Sequence, residues 1–152
     1  MRVEAPIKVD RKTKKLAKRL STGDIAVINH TDIDEVAANS LVECKIKLVI
    51  NAAPSISGRY PNKGPKILID NNILIIDNVG EKVFEDLKEG QIIEVNNGLI
   101  YRDGELIGQG EVMDKSVVEQ KTKIAYENMS VELDRFIDNT IEYAKREKGF
   151  IL

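Results

Sequence analysis

The 152-residue sequence predicts a mixed α/β fold: a compact domain over 1–113, ending in a β-hairpin meander, followed by a long amphipathic helix over 114–152. Three observations carry this. The apolar runs Ile25–Ile28 and Leu48–Ile50 read as buried strands on either side of a helical stretch, and a strand–helix–strand unit favours a parallel pair. Asn97-Gly98 and Asp103-Gly104 interrupt alternating apolar runs, which is the signal for tight hairpin turns. No Gly or Pro occurs from Ser116 to Lys148, where apolar residues recur at spacings of three, four and seven.

Taken in order, Asp10 is placed to cap a first helix at 11–20, with Lys18 and Arg19 near its negative end and Gly23 as its stop. Ile25–Ile28 is the first strand. Asp32 and Glu35 form a capping box for a helix at 33–43, whose apolar positions are Ile33, Val36, Ala37, Ser40, Leu41 and Cys44. Lys45–Ile50 is the next strand. Residues 66–76 admit two readings. One is a hairpin about Asn71-Asn72. The other is a short helix opened by Pro65, followed by a strand at Ile73–Ile76. A helix from Gly80 to Leu87 stops at Gly90, and strands follow at Ile92–Val95, Leu99–Arg102 and Leu106–Met113. The terminal helix, about 45 Å long at 1.5 Å per residue, outreaches a body of this size. Its stripe of Met129, Leu133, Phe136, Ile137 and Thr140 calls for a partner: its own copy in a homodimer, or a following domain. Gly149 is expected to close the helix, and Phe150-Ile151-Leu152 suggests a chain cut from a longer protein.

Composition bounds the function. Aromatic residues are 5%, there is no Trp, and the net charge is −2, which argues against a base-stacking nucleic-acid binder. Charge is uneven: residues 1–23 hold eight Lys/Arg against two Asp/Glu, the remainder 15 against 23. Such a basic arm suits an anionic membrane surface, a nucleic acid, the chain's own body, or simply a solvated helix face. Cys44 alone allows no internal disulfide. No apolar leader or membrane-spanning run is legible, so a cytoplasmic location is the expectation.

The segment from Asn51 to Lys66 is the richest in candidate chemistry. It follows a buried strand and contains three prolines, two glycines and two serines. Long loops in compact domains are usually functional or disordered, and prolines at 54, 61 and 65 oppose disorder. Asn51, Ser55, Ser57, Arg59, Tyr60 and Lys63 are therefore the candidate ligand- or partner-binding residues; the alternative is a structural loop with Arg59 paired to a body carboxylate. His30, Asp32 and Asp34 mimic a metal cluster, but helix capping claims the aspartates, and no metal site is expected. No nucleophile–base pair and no Gly-x-x-x-x-Gly-Lys phosphate cradle is present, so no catalytic residue and no cofactor is assigned.

Val9–Lys14, Gly23–His30, Asn51–Pro61 with Gly64-Pro65, and the helix bearing Phe136, Asn139-Thr140, Glu142-Tyr143 and Glu147 together resemble the N-terminal domain of the SteA-like cytokinetic-ring proteins, across essentially the whole chain. Asn29 departs from that pattern where an acid is expected, as does Asn72 where Gly is expected. The resemblance implies a non-enzymatic domain of a bacterial septation protein, working with a membrane-bound division partner at the inner face of the membrane. Longer members carry a thiamin pyrophosphokinase-like domain, so the alternative is part of a nucleotide-binding enzyme whose catalytic domain lies outside this chain. The order of elements after the loop also resembles the swivelling β/β/α domain of phosphoenolpyruvate-utilising enzymes, without the phosphorylated His those domains carry in the loop.

Overall fold

A computed structural model describes residues 1–151, with side chains described through Lys148. The fold is mixed α/β: an eight-stranded mixed sheet with five helices among the described residues. In chain order these are β1 (Arg2–Val9), α1 (Thr13–Ala17), β2 (Ile25–Ile28), α2 (Glu35–Glu43), β3 (Leu48–Asn51), α3 (Gly64–Asp70), β4 (Leu74–Asp77), α4 (Glu81–Asp86), β5 (Ile92–Asn96), β6 (Leu99–Arg102), β7 (Glu105–Gln109), β8 (Glu111–Met113) and α5 (Lys115–Ile151).

Strand order is β7-β6-β5-β1-β2-β3-β4-β8. β1 through β4 run parallel, joined by helical crossovers, and β2 and β3 are buried along their whole length. Burial on both faces is why these strands read as unbroken apolar runs. β7 and β8 flank a single residue, Gly110, yet lie at opposite ends of the strand order, so the sheet curls until its edges meet. Two cores result. Ile7, Ile25, Val27, Leu48, Ile50, Phe84, Ile93 and Ile100 fill the inside of the curl. Leu16, Ala26, Ile28, Leu41, Val49, Leu68, Ile75 and Val118 pack the helices onto its other face.

Several expectations hold. β2 and β3 pair in parallel. The reading of 66–76 as helix then strand is the one adopted, with Pro65 in the first turn of α3. Asn97, Gly98, Asp103 and Gly104 all have positive φ, as two tight hairpin turns require. Asn72, at φ +61°, occupies the left-handed position for which Gly is the usual residue.

Others are corrected. Residues 2–9 form a central strand. Pro6 sits where β1 ends its antiparallel register with β5 and begins its parallel register with β2, so a missing N–H is tolerated there. The first helix spans only Thr13–Ala17; Asp10 instead accepts from the Lys12 amide and binds Arg19. Asp34, and not Asp32, caps α2 by accepting from the Ala37 amide, and Val36 is 77% exposed while Ala38 is buried. The last expected strand is two: β7 pairs with β6, and β8 crosses to β4. α5 starts under an Asp114 side-chain cap and continues past Gly149 to Ile151. The side chains of Phe150–Leu152 lie outside those described.

Half of the basic arm, four of its eight cations, is engaged by the body. Arg2 pairs with Glu94, Lys8 with Asp24, and Arg11 with Glu81; Arg19 bridges Asp10 and Glu89. Those two carboxylates raise the pKa of Arg19 further above its ordinary value. No helix among the described residues is long and apolar enough to cross a membrane.

Candidate functional site

β3 ends at Asn51, and the chain leaves the sheet through a loop whose base is locked from within. Asn51 is fully buried. Its Nδ2 donates to the His30 carbonyl (2.9 Å) and to Ser55 Oγ (2.7 Å), and its Oδ1 accepts from the amides of His30 (3.0 Å) and Ala53 (3.1 Å). Ser55, also fully buried, passes the chain of bonds on: its amide and hydroxyl both donate to Asp77 Oδ1, at 3.0 and 2.7 Å. Asp77 terminates β4 and is 3% exposed. Burial raises its pKa above the usual carboxylate range, while the two Ser55 donors pull in the opposite direction.

Further along, Asp32 at φ +55° aims both oxygens at Ser57, accepting from its amide (2.7 Å) and its hydroxyl (2.9 Å). Asn62 donates to the carbonyls of Ile33 and Ser55. Gly64 fits directly under Ile33: a Cβ there would lie 2.2 Å from the Ile33 carbonyl oxygen. The loop is thus a fixed shape, tied to the β2–α2 connection at several points.

The six candidate residues divide accordingly. Asn51 and Ser55 face inward with their polar atoms satisfied, and they hold the loop in place. Ser57 is exposed but engaged by Asp32. Arg59, Tyr60 and Lys63 are exposed, and no ion pair or side-chain hydrogen bond engages the Arg59 guanidinium among the described residues. The alternative reading, Arg59 paired to a body carboxylate, is not adopted among the described residues.

The other wall of the site comes from α5. Asn128 Nδ2 donates to the Gly58 carbonyl at 2.6 Å, fastening the loop tip to the helix. Ser57, Gly58, Arg59 and Tyr60 face Asn128, Met129 and Leu133 across an open cavity of about 670 Å³. Sequence reasoning took loop and helix as separate features. Asn128, Asp77 and Asn62 were missed altogether, although Asp77 carried a signal: a carboxylate closing a fully apolar strand.

His30, Asp32 and Asp34 do not converge. Asp32 serves Ser57, Asp34 caps α2, and His30 Nδ1 lies 2.9 Å from Thr13 Oγ1. Among the described residues no cluster of His, Cys, Asp or Glu is arranged to hold a metal ion.

Beyond residue 129, α5 leaves the body. Every described residue from Ser130 to Lys148 is exposed, among them Leu133 (50%), Phe136 (66%), Ile137 (50%) and Tyr143 (64%). Tyr126, Met129, Leu133, Phe136, Thr140 and Tyr143 alternate at steps of three and four, the spacing of a two-helix seam.

No known protein family matches the sequence, and no curated protein matches it. Among solved structures, a 3-isopropylmalate dehydratase from Methanocaldococcus jannaschii DSM2661 is similar with a TM-score of 0.46 and 14% identity, over 92% of this chain and 99% of that one.

Proposed function

We propose that this chain is a non-catalytic assembly and partner-binding domain. The projecting half of α5 pairs with its counterpart in a second copy, and the Arg59–Tyr60 loop tip beside it receives a partner. The observation that carries this reading is the exposed seam from Tyr126 to Tyr143, which emerges from the body next to a rigid loop bearing an unengaged cation. Contiguous exposed apolar surface of this kind marks interaction sites. The two i,i+3 and i,i+4 ion pairs, Arg135–Glu132 and Arg146–Glu142, fall outside the seam and keep its flanks polar. The resemblance to SteA-like proteins supports a setting in bacterial septation, with the membrane-bound division partner as the protein that meets the loop.

Sedimentation velocity of the full chain tests the pairing. A dimer is expected that dissociates on Leu133→Asp/Phe136→Asp, with unchanged circular dichroism below the melting transition. A monomer at high micromolar concentration overturns the reading. The rival, a nucleotide-binding enzyme fragment, predicts saturable heat on titration with ATP, and the assembly reading predicts none.

A further inference from the structure

A second cavity lies away from the Arg59 loop, at the carboxyl ends of β1 and β2. Its volume is about 600 Å³, within the range of small-molecule sites. The carboxyl ends of parallel strands are where open α/β sheets bind ligands, because the connections there splay apart. One wall is the end of the β1–α1 connection and the start of α1, with Lys12, Thr13 and Lys14. The other is the start of α2, with Val36 and Ala37. His30, from the end of β2, stands between them.

The placement of His30 is unusually determined for a half-exposed side chain. Its backbone amide and carbonyl are both gripped by the fully buried Asn51, and its ring Nδ1 meets the hydroxyl of Thr13, which is 4% exposed. The Thr13 hydroxyl is placed to donate to Nδ1, the arrangement that leaves Nε2 as the ring's N–H donor. Nε2 is 3.8 Å from Asp34 Oδ2, too far for a hydrogen bond; Asp34 caps α2 through Oδ1, which accepts from the Ala37 amide, and its other oxygen lines the crevice beside the ring. Arg11, at the cavity edge, is neutralised by Glu81 and lies over the Phe84 ring. Lys12 and Lys14, like Lys15 and Lys18, make no ion pair among the described residues, whereas the arginines and Lys8 of the N-terminal region do. Val36 leaves 77% of its surface to solvent at the opposite wall.

We propose that this crevice binds a small phosphorylated ligand with an apolar body: the phosphate between Lys12, Lys14 and His30 Nε2, the apolar part on Val36 and Ala37. Two unspent ammonium groups and one oriented ring donor suit a dianion. The apolar wall selects an organic phosphate over the inorganic ion.

His30 is the sole histidine of the chain, so its ring resonances report on the site without ambiguity. Phenyl phosphate titrated into the full chain is expected to shift the His30 Hε1 and Nε2 signals saturably, with inorganic phosphate binding more weakly and phenol not at all. Lys12→Gln/Lys14→Gln, both on exposed positions, is expected to weaken phenyl phosphate by about tenfold or more. Arg59→Ala is expected to leave it unchanged, which separates this site from the loop. An unmoved His30 signal at millimolar phenyl phosphate overturns the proposal. So does a linear shift shared equally with chloride, or full affinity in the double lysine variant.

Discussion

Asn51 shows how one residue can govern a site without facing it. Its four side-chain hydrogen bonds fix the end of β2, the start of the loop and Ser55 together. Asn51→Ala leaves buried donors and acceptors at His30, Ala53 and Ser55 unpaired, and a loss of roughly 2–4 kcal/mol is expected in urea unfolding. Asp77 carries a different signature. Its pKa is raised in the folded state by burial, so the folded chain holds that proton more tightly than the unfolded one. Its contribution to stability is therefore complete in acid and is lost as pH rises from the unfolded carboxylate value through the raised folded value. Asp77→Asn keeps an Oδ1 acceptor for both Ser55 donors and removes the charge. Its melting temperature is expected to match or exceed that of the parent at neutral pH, with the descending limb between acid and neutral pH flattened. A variant less stable at pH 7 with the limb intact contradicts this account. Gly64 is a steric matter: Gly64→Ala forces a methyl into the Ile33 carbonyl, and a loss of about 1–3 kcal/mol is expected on thermal unfolding.

At the scale of elements, the crossing between β7 and β8 is made at Gly110, whose amide donates to the carbonyl of Gly98 in the β5–β6 turn. A Cβ on Gly98 would lie 2.5 Å from the Gly110 carbonyl oxygen, and one on Gly110 would lie 2.6 Å from that of Asp77. Gly110→Val should therefore detach β8 from β4 before it unfolds the parallel strands, and amide exchange at Val112 and Met113 should rise ahead of exchange in β2 and β3. α5 divides in the opposite sense. Val118 and Ala125 are buried, Val118 within the helix-side packing, whereas residues 130–148 are exposed. Substitutions such as Leu133→Asp are accordingly expected to change the stability of the isolated protomer by no more than about 0.5 kcal/mol while abolishing self-association, as read by sedimentation and thermal melts on the same samples.

For the whole molecule, the curled sheet divides the labour between its ends. The carboxyl ends of β1–β4 gather the Arg59 loop, His30 and the cavity beside it, while the hairpin turns of β5–β7 serve closure. Four of the eight N-terminal cations act within the protein, fastening the N-terminal region to the rest. Affinity of the chain for duplex DNA at low salt is expected to be undetectable by fluorescence anisotropy, because the N-terminal arginines are paired within the body and the chain carries a net charge of −2.

Local patterning determined much of this protein by itself. The apolar runs of β2 and β3, the Asn-Gly and Asp-Gly turns, the Pro65 helix start and the unbroken α5 all follow from contacts within a few residues, which sequence displays directly. Central β1 was hidden although Val3, Ala5, Ile7 and Val9 recur at every second position, because the cations and Pro6 masked the period and its antiparallel partner β5 lies far away in sequence. Only the tertiary structure decided which loop residues face solvent. Asn51 and Arg59 are equally polar on paper, yet one finds Ser55 and His30 inside and the other finds α5 outside. Whether a polar side chain anchors or is displayed depends on partners 20 to 70 residues away, and that is set when the sheet closes.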